Sequence, residues 1–302
     1  MVYYHSSYGP PSRKKSPLKR IFVFLLIIII LAGAGLGYFV YGIIYKPNVW
    51  TPESKAVFVK IPTGTDFVGV KNILYEKGLI IHRNNFEWVA EYKGYTERVK
   101  PGNYKVNNGL SNNDLIDLLR SGNQEPVMVM FNNNRDIYHL ASRVSTQIET
   151  DSASIVNYIL SEEFKSKLVN DSINPGIYFI PNTYEFYWNT SAQGFTARML
   201  NEYDKFWNGK REDRAKEMNM SIEEVIILAS IVEKETQKTD EKPIIAGVYL
   251  NRLERKWLLQ ADPTLLFILN DPNIKRVLNA HMLIDSPYNT YKYGGLPPGP
   301  IC

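Results

Sequence analysis

The stretch IFVFLLIIIILAGAGLGYFVYGIIY, residues Ile21–Tyr45, carries no charge over 25 positions and decides how the rest of the chain is organised. A helix of about 20 apolar residues crosses a hydrocarbon core roughly 30 Å thick, so this stretch predicts a single transmembrane helix. Two alternatives are a cleaved signal peptide, whose apolar region is shorter, and a buried core helix, which is rarely this long without polar residues.

Basic residues gather immediately before this helix: Arg13, Lys14, Lys15, Lys19 and Arg20. Because positive charge is retained on the cytoplasmic side, we expect residues 1–20 to form a cytoplasmic tail. The chain would then cross the inner (cytoplasmic) membrane once. Everything after Tyr45 would lie outside, at the periplasmic face.

Composition excludes several classes of site. The net charge of +4 is small, and a chain without a clustered basic surface is not expected to bind nucleic acid. Cys302 is the one cysteine, so no intramolecular disulfide can form, and the four histidines are scattered without metal-ligand spacing. We therefore expect no metal and no cofactor.

Residues 46–124 predict a small α/β module. Apolar residues alternate with others in AVFVKIP, which predicts a strand. Asp66–Gly78 predicts a helix that is capped at its start and ended by Gly78, and Asn84–Tyr92 predicts a second helix. PGNYKV predicts another strand, and Ser111–Gly122 a third helix. Strand–helix–helix–strand is the order of the LysM-like glycan-binding module. The alternative is a spacer that binds nothing.

Residues 125–302 predict a larger α+β domain, which makes the whole chain α+β. Its segment Tyr178–Trp188 holds six aromatic residues among eleven. Aromatic faces stack on sugar rings, so this segment favours a carbohydrate groove, with Tyr184 and Tyr187 as candidate contacts. The alternative is that about half of these rings lie in the core.

The run IEEVIILASIVEKE predicts a helix over Ile222–Glu235. Ser221 with Glu224 three residues later forms a capping-box pattern. The run Val225–Val232 is apolar on every side apart from Ser230, which predicts burial all round.

Two carboxylates, Glu233 and Glu235, end this helix. A carboxyl group at the end of a buried helix is partly desolvated, which suits proton transfer. Positions two apart on a helix differ by about 200°, so these carboxylates face different directions and periodicity does not choose between them. The alternative is that both are solvated beside Lys234.

Several blocks follow one another in an order typical of a known family. They read PGIYFIPNTYEFY, LASIVEKET (Leu228–Thr236), GVYLNRL (Gly247–Leu253), LQADPT (Leu259–Thr264) and SPYNTYKYGGLPPGPI (Ser286–Ile301). They resemble the signature blocks of the endolytic murein transglycosylase, or YceG-like, family. That family usually carries Glu-Gly and Pro-Asp where this chain has Pro175-Gly176 and Pro181-Asn182. Its members continue beyond the last block, so the resemblance predicts a catalytic domain cut short at Cys302.

The resemblance implies a non-hydrolytic cut between N-acetylmuramic acid and N-acetylglucosamine that leaves a 1,6-anhydro end. In the family the first glutamate of the EKE triplet is catalytic, which carries over to Glu233. One acid then suffices, because the C6 hydroxyl of the sugar attacks C1 and Glu233 acts first as acid and then as base. The implied partners are peptidoglycan glycan strands, the inner membrane and peptidoglycan synthases, with termination of strand elongation as the role.

Polar residues of the later blocks are suited to hydrogen-bonding sugar hydroxyl and acetamido groups: Gln260, Asp262, Tyr288, Asn289 and Thr290. For each, the alternative is local capping or turn structure. Asp262 precedes Pro263, and an Asp-Pro pair often starts a helix.

Two rival functions stay open at this point. A membrane-anchored scaffold would bind peptidoglycan without cutting it. A glycoside hydrolase would need a second carboxylate, for which Asp262 and Glu235 are candidates. The product separates the three functions: an anhydro end, a reducing end or no cut.

Overall fold

The structure is a computed structural model that describes residues 9, 17–168, 174–271, 273, 274 and 276–302. Most of the expected cytoplasmic tail lies outside the described residues. The chain forms two compact units. The first runs to Lys100 and includes Tyr104–Asn123, and the second comprises Pro101–Asn103 with Gln124–Cys302.

The described elements are mixed helix and strand, as expected for an α+β chain. The helices are α1 (Pro17–Tyr45), α2 (Phe67–Glu76), α3 (Arg83–Tyr92), α4 (Asn112–Ser121), α5 (Ile137–Ser145), α6 (Ser152–Ile159), α7 (Glu162–Lys165), α8 (Ala192–Trp207), α9 (Lys210–Glu217), α10 (Ile222–Glu235), α11 (Lys242–Glu254) and α12 (Asp262–Leu269). The strands are β1 (Val57–Ile61), β2 (Gly102–Val106), β3 (Val127–Phe131) and β4 (Asn182–Phe186).

Helix α1 is long and apolar enough to cross a membrane. The candidate span, Leu18–Tyr45, covers 28 residues with a mean hydropathy of 2.7, and its most apolar window has no buried residue. A core helix of a soluble protein would bury such a surface, so the exposure argues against that alternative. Length and composition are consistent with a single-pass anchor.

The first unit repeats the predicted order β1, α2, α3, β2, α4, in which β1 pairs with β2. Local capping explains where two of its helices begin. Asp66 accepts from the Gly69 amide at 2.8 Å, and Ser111 accepts from the Asp114 amide at 3.1 Å. The LysM-like identity of this unit stays a prediction.

The core of the second unit forms around the antiparallel pair β3–β4, whose register runs from Val127 opposite Phe186 to Phe131 opposite Asn182. Alternate residues of both strands face helices α5, α6 and α8. A separate apolar cluster joins α10, α11 and the segment that leads into α12, and its fully buried members include Ile231, Leu259 and Ala261. This second cluster positions the site described next.

Candidate active site

Helix α10 brings the two candidate glutamates to its C-terminal end. Its start is fixed by the predicted capping box: Ser221 accepts from the Glu224 amide at 3.1 Å, and Glu224 accepts from the Ser221 amide at 2.8 Å. The expectation of burial all round is wrong, because Ala229 is exposed. That face of the helix lines an open cavity.

Glu233 forms an ion pair with Lys242, the first residue of α11. The Lys242 Nζ and Glu233 Oε2 atoms are 2.5 Å apart, and the two side chains are 28% and 39% exposed respectively. The carboxylate therefore has a close cationic partner on the neighbouring helix.

The cavity beside Glu233 has a volume of about 450 Å³ and is lined mainly by apolar side chains of α8, α9 and α10. Ile180 and Pro181 also line it, as does Cys302. Ile180 and Pro181 belong to the Tyr178–Trp188 segment, which therefore reaches the cavity through these two residues. The aromatic rings of Tyr178–Trp188 are not among the lining residues.

Glu235 points to a different partner. It is exposed, and its Oε2 accepts a hydrogen bond from the Tyr249 hydroxyl at 3.0 Å. Tyr249 is only 5% exposed. Burial, and then the neighbouring Glu235 charge, raise the pKa of Tyr249, so its hydroxyl stays a proton donor at physiological pH.

The motif residues of the second unit gather on the Glu235 side of α10. The Tyr291 hydroxyl donates to Asp262, and Arg252 donates to the Leu259 carbonyl. Burial and the hydrogen bond to Asp262 raise the pKa of Tyr291 to about 12, and the charge of Glu235 acts in the same direction. The positive charge of Arg252 partly offsets the rise in pKa of both Tyr249 and Tyr291. Asp262, Tyr291, Tyr249 and Arg252 therefore share one electrostatic neighbourhood with Glu235.

Two predicted binding residues, Asn289 and Thr290, are buried and use their side chains within the protein. The Asn289 amide donates to the carbonyls of Met282 and Ile284 at 2.9 and 2.7 Å. Thr290 Oγ1 accepts from the Ala261 amide at 3.0 Å and lies 2.9 Å from Thr264 Oγ1. These bonds hold the loop against the start of α12, and a contact with substrate stays a prediction.

Gln260 and Asp262 are exposed beside that loop. Gln260 has a positive φ of 50°, and its backbone N–H donates to the Thr290 carbonyl at 3.0 Å. Asp262 is the first residue of α12 and is followed by Pro263, so it starts the helix while accepting from Tyr291. The N-cap of α12 is Ala261 and receives no side-chain cap hydrogen bond, so the Asp262 carboxylate does not cap the helix and contacts Tyr291 instead.

The remaining residues predicted to contact substrate, Tyr184, Tyr187 and Tyr288, differ in how deeply each side chain is buried. Tyr184 is 7% exposed, donates to the Ile180 carbonyl at 2.6 Å and stacks on Phe131, so it belongs to the core. Tyr187 is 57% exposed and free to meet a ligand. Tyr288 is half-buried against Phe267, with ring centroids 4.9 Å apart. Among the described residues, no three His, Cys, Asp or Glu side chains gather as a metal would require.

A comparison with protein-family models matches residues 59–302 to the YceG-like family. This match covers well over half of the chain. The chain belongs to the YceG-like family. Its α10–α12 region carries the blocks that suggested the resemblance.

Relatives of this YceG-like chain agree with the match. It is 27% identical to the endolytic murein transglycosylase of Bacillus subtilis, over 88% of this chain and 77% of the relative. It is 28% identical to the endolytic murein transglycosylase of Streptococcus pneumoniae D39, over 95% of this chain and 57% of the relative. The chain thus spans little more than half of the streptococcal protein.

A solved structure also resembles this YceG-like chain. The crystal structure of a YceG-like protein from Listeria monocytogenes superposes with a TM-score of 0.55 at 27% identity. The match covers 82% of this chain and 86% of the other.

The partners of the two glutamates were not found from the sequence. Tyr249 and Tyr291, the partners of Glu235 and Asp262, lie within family blocks, and Lys242, the partner of Glu233, lies between two of them, but none stands at helical spacing from its acidic partner. Tyr249 lies 14 positions after Glu235, and Tyr291 lies 29 positions after Asp262. No local pattern signals such pairs, since they form only when α10, α11 and the loop pack together.

Proposed function

We propose that this chain is an endolytic lytic transglycosylase that cuts the bond between N-acetylmuramic acid and N-acetylglucosamine in peptidoglycan and leaves a 1,6-anhydro end. The proposal is supported by the family match and by the bacillary and streptococcal relatives, which are named endolytic murein transglycosylases. The observation that carries it is the polar cluster of family-block residues around the end of α10.

We propose that the proton donor is Glu233, as the family resemblance implies, with Glu235 as the alternative. Glu233 is half-buried and lines the cavity of about 450 Å³ beside α10. Its Oε2 atom lies 2.5 Å from the Lys242 ammonium at the start of α11. Glu235 is exposed and accepts a hydrogen bond from the buried Tyr249 hydroxyl.

In the proposed reaction the Glu233 carboxyl gives its proton to the glycosidic oxygen as the bond from that oxygen to C1 breaks. The C6 hydroxyl of the muramic acid attacks C1 and closes the anhydro ring. Its proton passes to the Glu233 carboxylate, which restores the starting acid. No water is consumed, so a second carboxylate that activates water is unnecessary.

Substrate binding is proposed for polar and aromatic side chains of the family blocks, including Tyr187 directly after β4. Gln260 and Asp262 would hydrogen-bond sugar hydroxyl or acetamido groups, and Tyr187 and Tyr288 would offer ring faces to the glycan. Asn289 and Thr290 would shape the loop that carries them. Tyr184 supports this surface from the core.

We propose that α1 anchors the chain in the inner membrane with residues 1–20 in the cytoplasm and both units at the outer face. The basic residues before the helix support this orientation. Nascent glycan strands are made at that face, so an anchored lyase would end strand elongation beside peptidoglycan synthases. The first unit would act as a LysM-like glycan-binding module.

Matched glutamine variants test the acid. Glu233→Gln keeps the size of the side chain and removes its titratable proton, so we expect cutting to fall by about 10²–10⁴-fold. Glu235→Gln should retain measurable cutting. Mass spectrometry of digested glycan strands measures the anhydro ends, and circular dichroism checks the fold of each variant.

The outcomes separate the candidates. Full activity of Glu233→Gln with loss in Glu235→Gln would assign the role to Glu235. Reducing ends in place of anhydro ends would identify a hydrolase. Strand binding without any cut would identify a scaffold.

A further inference from the structure

A second cavity of the second unit, which we call the cationic cavity, adjoins the one that Glu233 lines. It has a volume of about 920 Å³ and lies among the residues after β3, helix α5, the end of α10 and helix α12. Asn133 lines both cavities, and Ile301 of the cationic cavity is followed directly by Cys302 of the Glu233 cavity. A ligand held at Glu233 can therefore extend into the cationic cavity.

Positive side chains converge on this cavity from two helices and from the segment after β3: Lys234, Arg143 and Arg135. Among the described residues that line it, none is Asp or Glu. Nor does any carboxylate in the described part of the chain form an ion pair with these three side chains. Because walls of one sign concentrate the potential inside a cleft, the cavity favours an anionic ligand.

The basic side chains of the cavity differ in how firmly the protein holds them. Arg135 donates to the Phe267 carbonyl at 2.6 Å, and its guanidinium lies 4.6 Å from the centroid of that ring. His139 is engaged by Asp136, whose Oδ1 lies 2.8 Å from its Nδ1. Arg143 and Lys234 are exposed. Arg135 is thus a fixed charge, whereas Arg143 and Lys234 can turn toward a ligand.

Helix stability explains part of this arrangement. Arg143 lies in the last turn of α5 and Lys234 in the last turn of α10, where positive charge suits the helix dipole. That preference acts on each helix separately. It does not require the two ends to meet at one cavity together with Arg135, so the convergence is a property of the cavity.

The glycan strand proposed as substrate carries anionic groups close to the bond that is cut. N-acetylmuramic acid bears a lactyl ether on C3, two carbons from the C1 where cutting occurs. The peptide stem attached to that lactyl group carries free carboxylates. Arginine and lysine bind carboxylates through charge-assisted hydrogen bonds, so the chemistry of the stem fits the lining of the cationic cavity.

We infer that the cationic cavity is a subsite for the carboxylates of the peptide stem, which Arg143 and Lys234 bind while Arg135 adds a fixed positive charge. This inference rests on the proposed function, because it takes the muramic acid ring to be held at Glu233. Strands whose stems carry carboxylates are then bound more tightly than strands whose stems do not. The subsite binds substrate and takes no part in breaking the bond.

The Glu233 cavity offers a rival position for these carboxylates, since Arg211 and Arg214 of α9 line it. Arg211 donates to the Phe206 carbonyl at 3.1 Å and lies 4.3 Å from the centroid of that ring. Arg214 directly follows Asp213, and the rest of the lining is mainly apolar. These surroundings favour a carboxylate less than the cationic cavity does.

Binding of a defined ligand to the full chain in lipid nanodiscs tests the subsite. One probe is the disaccharide N-acetylglucosaminyl-N-acetylmuramic acid with a stem tetrapeptide whose carboxyl groups are free. The other is the same molecule with those carboxyl groups converted to amides. Both lack the bond that is cut, so wild-type protein can be used. We expect calorimetry to give a Kd about tenfold lower for the acid than for the amide.

The double variant Arg143→Gln, Lys234→Gln should bind the two probes about equally, because the charges that distinguish them are gone. The matched control, Arg214→Gln, removes an arginine of the Glu233 cavity and should keep the tenfold preference. Thermal unfolding checks that each variant is folded. Equal binding of acid and amide by wild type would overturn the inference. So would a preference that is lost in Arg214→Gln and kept in the double variant.

Anhydro-end formation, measured on the same wild-type protein, separates the inference from the proposed function. A protein that makes anhydro ends but binds both probes equally has the proposed function without the subsite. A protein that prefers the acid but makes no anhydro ends has the subsite without the proposed function. The two failures are therefore distinguishable.

Discussion

Glu233 and Glu235 stand two positions apart on one helix end, yet their carboxylates meet different partners. Glu233 meets the ammonium of Lys242, and Glu235 meets the hydroxyl of Tyr249. The rotation of about 200° between them sends one toward the start of α11 and the other toward its buried middle. At the scale of the residue, the chemistry therefore depends on a partner brought by another helix.

Tyr249→Phe tests this arrangement at the residue scale. The Tyr249 hydroxyl joins α11 to the end of α10, so its loss removes one hydrogen bond between the two helices. We expect the free energy of unfolding to fall by about 1 kcal/mol, and cutting to fall as well because the end of α10 that carries Glu233 loses this support. Thermal unfolding and rates of anhydro-end formation measure the two effects.

The control for this variant is Tyr104→Phe. Tyr104 is likewise buried and donates one hydrogen bond, at 3.0 Å to the Lys100 carbonyl, but it belongs to the first unit. Its rate of cutting should match that of wild type. An unchanged rate of cutting for Tyr249→Phe would show that the Tyr249 hydroxyl does not support the catalytic end of α10.

At the scale of elements, the loop before the C-terminus is tied to the start of α12. Thr290 is 2% exposed and accepts from the amide of Ala261, which is fully buried. The Thr290 carbonyl also accepts a hydrogen bond from the backbone N–H of Gln260 at 3.0 Å. One buried residue therefore holds together the Gln260–Asp262 block and the Tyr288–Tyr291 block.

Thr290→Val keeps the shape of this residue and removes its hydroxyl. The Ala261 amide then loses its partner inside the protein, so we expect the free energy of unfolding to fall by about 1–3 kcal/mol. Cutting should fall as well, because Asp262 and Tyr291 lose their common support. Thermal unfolding and anhydro-end formation measure the two effects, and Thr290→Ser, which keeps the hydroxyl, should rescue both.

Thr196→Val provides the comparison for that change. Thr196 is equally buried, but its hydroxyl donates to the Ala192 carbonyl of its own helix, 2.9 Å away. We expect a smaller loss of stability there and no loss of cutting. Equal effects of the two valine variants would contradict a special role for the loop.

At the scale of the whole molecule, orientation in the membrane decides where the second unit can work. A protease added outside intact cells stripped of their wall should digest residues after Tyr45 and spare residues 1–20. The reason is the basic charge before α1, which is retained in the cytoplasm. Immunoblots against tags at each end measure the outcome, and permeabilised cells serve as the control. Protection of the second unit would reverse the proposed topology.

The sequence by itself determined the features that depend on neighbouring residues. The caps at Asp66, Ser111 and Ser221 were predicted because a side-chain oxygen reaches an amide only two or three positions away. The apolar run of α1 and the strand order of the first unit were predicted for the same reason, since composition and period act along the chain. The family blocks likewise identified the region that holds the site.

Only the tertiary structure decided which side chains meet. The sequence did not distinguish the buried Tyr184 from the exposed Tyr187, because both lie in one aromatic run and only the pairing of β4 with β3 assigns their faces. It did not pair Glu233 with Lys242, or Asp262 with Tyr291, because these contacts join separate elements. Charge and hydrogen bonding act over a few ångströms in space, and packing alone brings distant positions within that range.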